Sequence, residues 1–301
     1  MPRGSEPAKR AVNHVLVTRF NLPSAGVQEL IRAKDGWLRE RVALFERFTV
    51  PSVLGQANRD FTWLIYFDPA SPQWLRQMIA KYEHDGTFVP VFRESVSTEQ
   101  MISDIRTIIG TPADDLLTTN LDNDDVIATD FIARLQDCPS AALPSAIYLR
   151  NGLIRTDGRL YMHKYPRNAF NSVRTSWASP TTTCWSEWHT DFDKLMPAVE
   201  ISGSAGWMQV VHGSNVSNRV RGRLASPGPF RQRFPSALDG LAEPNSRDLL
   251  LDRFVASPFR NGRERFRSAG KQLILTVLGR DGLDRIKVLL QPRRRGSGAA
   301  R

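Results

Sequence analysis

Apolar residues fall along the chain in short blocks of strand-like or helix-like rhythm, separated by turn-forming residues. The first block, His14-Val15-Leu16-Val17-Thr18-Arg19-Phe20, is rich in β-branched residues and closes at Asn21-Leu22-Pro23, which predicts a buried strand. Between Trp37 and Leu54, Leu38, Val42, Phe45 and Thr49 recur at helical spacing, and Gly55 supplies a stop. Pro51 predicts a kink in the last turn of that helix. Thr62 to Phe67 reads as a second strand halted by Asp68-Pro69, residues 71–84 as a helix, and Phe88 to Phe92 as a third strand. Ser97 and Gln100 fit a capping box, opening a helix to Ile109 with Ile102, Ile105 and Ile109 on one face. A fourth strand, Asp115 to Leu121, runs straight into Asp122-Asn123-Asp124-Asp125, and a helix follows over 130–137.

Four strand–helix alternations across 12–137 imply an α/β fold: a mostly parallel sheet with helices on both faces. The remainder is less regular. Strand-like runs flank a turn at Asp157-Gly158, a Ser/Thr/Trp-rich loop is expected over 172–188, and 206–212 reads as a strand. A basic loop over 213–235 and a largely helical stretch over 236–290 complete the pattern. No repeat or linker divides the chain. The expectation is one domain over 12–290, with halves 12–137 and 138–290, between disordered ends at 1–11 and 291–301.

Composition changes this picture little. A chain of 301 residues with 41% hydrophobic and 24% charged content can bury a sizeable core. Two cysteines, Cys138 and Cys184, are too few for a disulfide framework, and no apolar leader or membrane-length run appears. A reduced, cytoplasmic protein is expected. The net charge of +10 favours anionic partners, among them nucleotides, phosphorylated lipids and membrane surfaces. The basic residues are scattered or terminal and form no nucleic-acid-binding motif, so a nucleic-acid partner is not expected.

Ligands of open α/β sheets bind beyond the carboxyl ends of the strands. Those ends carry Arg19 and Asn21, then Asp68, then Asp122, Asn123 and Asp124. No Gly-x-Gly-x-x-Gly turn follows the first strand and no P-loop is present, which argues against dinucleotide oxidoreductases and P-loop enzymes. Carboxylates two apart, leaving a strand into a turn, can approach one hard cation together. An EF-hand fails here, because Ile127 replaces the turn glycine and Ala133 the closing glutamate. The other reading of the acid run is an approach to the next helix N-terminus.

These pieces resemble a known family. Val15-Leu16-Val17-Thr18-Arg19-Phe20-Asn21 resembles the opening strand of A-type glycosyltransferases. Phe48 to Gln56 and then Phe61 to Asp68 look like their helix, short turn and strand ending in Asp. Leu121-Asp122-Asn123-Asp124-Asp125 matches their Asp-x-Asp metal motif. With Gly206 to Arg219 added, the chain is similar over roughly 12–225 to bacterial rhamnosyltransferases of the A-type, nucleotide-sugar-binding fold.

The resemblance implies a glycosyltransferase in which Asp122 and Asp124 hold Mn²⁺ or Mg²⁺ against the diphosphate of a nucleotide-sugar donor, with a nucleoside diphosphate rhamnose as the donor the family name suggests. It also implies His212 as a further metal ligand, and a glycan or lipid-linked acceptor. Thr18, Arg19, Asn21, Asp68, Arg106, Asp122 and Asn123 are the expected donor-binding residues along the edge. Asp68 either contacts base or ribose or serves the turn before Pro69, and Arg106 either reaches this edge or lies on a solvated helix face. Asn215, Asn218 and Arg219, with Ser217 and Arg221, suit a diphosphate clamp or lid. An inverting transfer needs a general base, and Asp191 and Glu187, set among tryptophans in Cys184 to Asp193, are the candidates. The basic loop and tail also permit peripheral membrane contact. A non-catalytic nucleotide- or glycan-binding module and a metal-dependent nuclease are the competing function classes.

Overall fold

The computed structural model describes residues 10–23, 36–139, 142–156, 158–212 and 220–260. Four parallel strands form its centre: β1 (Val12–Arg19), β2 (Thr62–Phe67), β3 (Val89–Phe92) and β4 (Asp115–Asn120). β6 (Ser145–Leu149) and β10 (Ala198–Ile201) extend this sheet, and β9 (Ser172–Ser176) lies between β4 and β6. The order is β10-β6-β9-β4-β1-β2-β3, and β9 alone runs against its neighbours. The expected α/β architecture with a mostly parallel sheet is therefore present.

Central strands of such a sheet are covered on both faces, and β1 and β2 are accordingly buried along nearly their whole length. One face carries Leu16, Phe20, Trp63, Ile65, Phe67 and Leu117. Against it pack α1 (Trp37–Leu44), α2 (Val50–Leu54), α3 (Gln73–His84) and α5 (Phe131–Gln136). The opposite face, with Val15, Val17, Leu64, Tyr66 and Leu116, takes α4 (Thr98–Ile109) through Met101 and Ile105. Both halves of the predicted capping box form: the Gln100 amide donates to Ser97 Oγ at 3.2 Å, and the Ser97 amide to Gln100 Oε1 at 2.9 Å. The buried face of α4 centres on Met101 and Ile105, with Ile108 and Ile109 beside them; Ile102 is only half-buried.

Several expectations need correction. The helix from Trp37 to Leu54 is continuous, yet Phe45–Thr49 forms a π-helical turn in its middle. Pro51 has no N–H to continue the regular ladder, and the irregular turn comes immediately before it, where the Val50 amide reaches back to the Phe45 carbonyl. Residues 172–176 are strand β9 rather than loop. Their mixed polar sequence hides a position buried between two neighbours. The stretch after 236 is helical only over 246–260 among the described residues, while 236–245 is turn and extended chain. Asp157, in the predicted turn, lies outside the described residues.

A second, five-stranded sheet has the order β12-β8-β7-β11-β5. It comprises β5 (Val126–Ile127), β7 (Asn151–Arg155), β8 (Leu160–Lys164), β11 (Trp207–Val210) and β12 (Arg223–Ala225). Gly152 is required here: a Cβ on it would stand 2.2 Å from the Trp207 ring. The consequence for function is local. β5 continues from the end of β4 and pairs with β11, so the acid run of the first sheet meets the end of a strand from the second.

Candidate active site

Leu121 and Val126 are core residues, and they bracket Asp122 to Asp125 and draw the acid run inward. The Leu121 amide still bonds to the Val17 carbonyl at 2.9 Å, after which the chain turns. Asn123 secures the turn by donating from Nδ2 to the Phe20 carbonyl at 2.8 Å. Asp124 is buried and paired with Arg41 of α1, and His212 Nε2 stands 3.0 Å from the same Oδ2. Asp125, also buried, accepts the Val210 amide at Oδ1 (3.1 Å), which fastens the end of β11 two residues before His212.

Three carboxylates thus share one arginine and one histidine. Asp122 keeps solvent contact, yet protein surrounds it closely. Desolvation and the neighbouring Asp124 charge push its carboxyl up to about 6, against the weaker pull of Asn120, Arg41 and Arg19. Asp125 is raised well above the usual carboxylate range by burial and by the charges of Asp124 and Asp122. For Asp124 burial acts upward but is outweighed by the His212 hydrogen bond and the Arg41 charge, so it is lowered and ionised. Arg41 and His212 are the bases that meet this cluster among the described residues.

Carboxylates and an imidazole gathered in this way are donors a divalent cation can use. Two donors bound cis at about 2.1 Å to an octahedral ion stand about 3.0 Å apart. Asp124 Oδ2 and His212 Nε2 stand 3.0 Å apart, the length of the hydrogen bond between them, and an ion replacing its proton would find the same spacing. Among the described residues no three His, Cys, Asp or Glu side chains form a ready cage. Mg²⁺-type sites commonly use one or two carboxylates and take their remaining ligands from water and substrate phosphates. The donor set fits such an open site, with Arg41 sharing the Asp124 charge.

The other expected residues divide by position. Arg19 is exposed at the end of β1 and lies over the Trp185 ring, 4.8 Å from its centroid. Trp185 Nε1 donates to Asn120 Oδ1 at 2.6 Å, and Asn120 Nδ2 faces Asp122 Oδ1 at 3.4 Å. Arg19, Trp185, Asn120 and Asp122 therefore line one continuous edge. Glu187 follows Trp185 in a segment anchored to this edge by the Cys184 amide on Thr118 Oγ1 (2.9 Å) and by Ser186 on Thr98 (2.8 Å). Its Oε1 accepts the Trp188 amide at 2.8 Å. Asp191 is further along, ion-paired with Lys194 at 2.7 Å.

Five expected donor contacts are corrected. Thr18 is fully buried and accepts the Trp63 indole N–H at 3.0 Å, because a central strand covered on both faces offers no ligand surface there. Asn123 is likewise buried and serves the turn. Asn21 and Asp68 bind each other: the Asp68 amide donates to Asn21 Oδ1 at 3.1 Å, and Asp68 Oδ1 takes the Ala70 amide at 2.7 Å. This is the turn role for Asp68. Arg106 stacks over Trp177, 5.5 Å from the ring centroid, and the Trp177 amide bonds to the Asp114 carbonyl at the start of β4. A crossover helix runs opposite to its strands, so the last turn of α4 lies at the amino edge, away from the acids. Asn215, Asn218 and Arg219 lie outside the described residues.

The sequence reading missed Arg41 and Asn120, and named Asp125 only within the acid run and Trp185 only within the tryptophan segment, without their partners. Arg41 left a trace: it falls between Leu38 and Phe45 at three- and four-residue spacing, a charge on the apolar stripe of α1.

A protein-family profile described as "Putative rhamnosyl transferase" matches residues 13–224. No curated protein matches the sequence. Among solved structures, the chain is similar to S. aureus TarS 1-349 in complex with UDP-GlcNAc: 10% identity, TM-score 0.44, covering 73% of this chain and 64% of that one. It thus spans less than two thirds of that TarS chain. It is also similar to the inositol-1-phosphate CTP transferase from T. maritima, at 10% identity and TM-score 0.37 over 77% of this chain and 99% of that one.

Proposed function

This chain belongs to the rhamnosyl transferase family, and on that premise we propose that it is a metal-dependent glycosyltransferase using a nucleoside diphosphate sugar. The observation that carries the reading is the buried acid cluster at the carboxyl edge, where ionised Asp124 shares one oxygen between Arg41 and His212. Asp124 and His212 would hold Mn²⁺ or Mg²⁺, with Asp122 beside them at the same sheet edge. The ion would supply positive charge to the departing diphosphate; a unit-charge contact near 4 Å is worth roughly 4 kcal/mol at an effective dielectric of about 20.

The chain's own residues do the rest. The Arg19–Trp185 stack gives the donor's flat base a cationic and aromatic edge to pack on, and Asn120 holds the indole in place. Arg41 keeps Asp124 ionised in a buried setting. Glu187, anchored to the same edge through Trp185, takes the acceptor hydroxyl's proton at a carboxylate oxygen in an inverting transfer. It is preferred over Asp191, which is tied to Lys194. The sugar suggested by the family name is rhamnose, and a glycan or lipid-linked hydroxyl is the acceptor class.

A panel of nucleoside diphosphate sugars, each with and without Mn²⁺, tests this reading by thermal shift and then by hydrolysis of any hit. One donor should raise the melting temperature only when Mn²⁺ is present. If no member of the panel shifts it under either condition, the reading fails.

A further inference from the structure

The described chain ends in a helix whose amphipathicity faces the wrong way for a soluble domain. Residues 246–260 are helical throughout, from α6 (Ser246–Leu251) through the π-turn Asp252–Ala256 to Arg260. The helix is attached largely by polar contacts. Asp252 Oδ2 accepts the Leu224 amide at 2.7 Å, Ser257 Oγ donates to the Gly222 carbonyl at 3.3 Å, and Arg260 bonds to the same carbonyl at 3.0 Å. Leu249 packs inward, against Ile154, Tyr161 and Leu224. On the outer side Leu250, Leu251, Phe254, Val255 and Phe259 are exposed by 55%, 51%, 68%, 63% and 73%. They follow i,i+4 spacing in two adjacent ridges, so the exposed residues form one continuous apolar face.

Charge identifies what covers it. Residues 244–301 hold 14 Lys and Arg against 5 Asp and Glu, a net +9 of the chain's +10, so residues 1–243 are close to neutral. Arg247 and Arg253 belong to the helix itself, and the densely basic sequence follows from Arg260 onward. Among the described residues no helix is long and apolar enough to cross a membrane. An apolar helix face next to concentrated positive charge is the chemistry of a segment lying in the plane of an anionic bilayer. We propose that the outer face of helix 246–260 docks this protein on an anionic lipid surface, with the following basic sequence supplying the electrostatic attraction. This inference does not depend on the proposed activity.

The test is co-sedimentation of the full chain with vesicles of phosphatidylglycerol mixed into phosphatidylcholine, and with phosphatidylcholine alone. Binding to the anionic vesicles, weakening as salt rises, and absent from the neutral ones is expected. The double variant Phe254→Ser, Phe259→Ser should lower that binding by roughly tenfold or more while circular dichroism and melting temperature stay put. Phe254→Trp should keep binding and show a blue-shifted emission on anionic vesicles alone. Absence of binding, or binding undiminished in the double variant, overturns the proposal. So does a dimer that the double variant dissociates, which would give the face to a second copy. A melting temperature lowered by the double variant would give it to the chain's own remaining sequence, and would also overturn the proposal.

Discussion

Strand β4 carries buried acid at both ends, and the two ends are treated in opposite ways. At its amino end Asp115 is fully buried, yet Arg174 reaches it at 2.9 Å and Arg10 at 2.6 Å, while Asp114 accepts the Ala11 amide at 2.9 Å. At its carboxyl end three carboxylates crowd together with one arginine and one histidine, and two of the three are pushed toward the neutral form. Crowding acid until two carboxyls are pushed toward the neutral form costs stability, and folding alone gives no reason to keep it. The amino end is structural, and the carboxyl end is where the proposed function puts its cation and phosphate ligand.

The sharpest way to break this contrast is Asp124→Asn, which keeps the shape but removes the charge shared by Arg41 and His212. Turnover measured as kcat/KM should fall by roughly 10³-fold, about 4 kcal/mol, and extra Mn²⁺ should not restore it. Full metal-dependent activity in this variant would end the assignment. At the other end, Asp115→Ala leaves the Arg174 guanidinium buried without its carboxylate. Stability from urea titration should drop by about 3–5 kcal/mol, with activity per folded molecule unchanged. If Asp115→Ala instead abolished activity in folded protein, the two ends would not be separable in function.

An intermediate effect is expected at Asp125. Because its carboxyl is held well above the usual range, Asn should imitate it and still accept the Val210 amide. Asp125→Asn should change kcat/KM by less than about tenfold, whereas Asp125→Ala, which releases the end of β11 and misplaces His212, should lose about 10- to 100-fold. Equal losses in the two variants would mean that the charge matters rather than the hydrogen bond.

How much of this was readable beforehand follows from what each feature depends on. The strand–helix alternation, the capping box of α4 and the Asp-x-Asp turn are local patterns, so they stood in the sequence. His212 was placed with Asp124 through family likeness, and the structure brings the two together across 88 residues. Thr18 was misjudged because a strand covered on both faces has no alternation to reveal which side chains meet solvent. Strand β9 escaped because its burial comes from neighbours contributed by β4 and β6. Arg41 is a long-range partner, legible only as an anomaly on an apolar stripe. Arg106 depended on the direction of a helix relative to the sheet, which a candidate-residue reading ignores.

A smaller effect distinguishes the ends by pH. His14, fully buried near the paired end, bonds through Nε2 to Thr119 Oγ1 at 2.8 Å. Burial, aided by the Arg174 charge, lowers its pKa from the usual 6.5 to about 3. The native state therefore holds His14 neutral while the unfolded chain takes up a proton below about pH 6.5. Its contribution is intact above that value and is lost as pH falls toward 3, with a slope of up to about 1.4 kcal/mol per pH unit. His14→Gln should remove that slope from urea-derived stability measured between those limits; an unchanged slope would show that other groups set the acid sensitivity.

The smallest expected effect is the cleanest control on position. Arg106 has the charge and the stacking partner of a donor-binding arginine, and it differs from Arg19 chiefly in where it stands. Arg19 stacks on Trp185 beside Asp122, while Arg106 stacks on Trp177 at the amino edge. If location at the carboxyl edge is what makes an arginine functional, Arg19→Ala should raise the donor KM by about tenfold, and Arg106→Ala should leave both kcat and KM within about twofold. An exposed cation–π pair contributes only about 0.5–1 kcal/mol, so neither variant should unfold. A donor KM raised equally by both substitutions would mean that binding responds to the protein's general positive field, and the division between a structural and a functional edge would have to be abandoned.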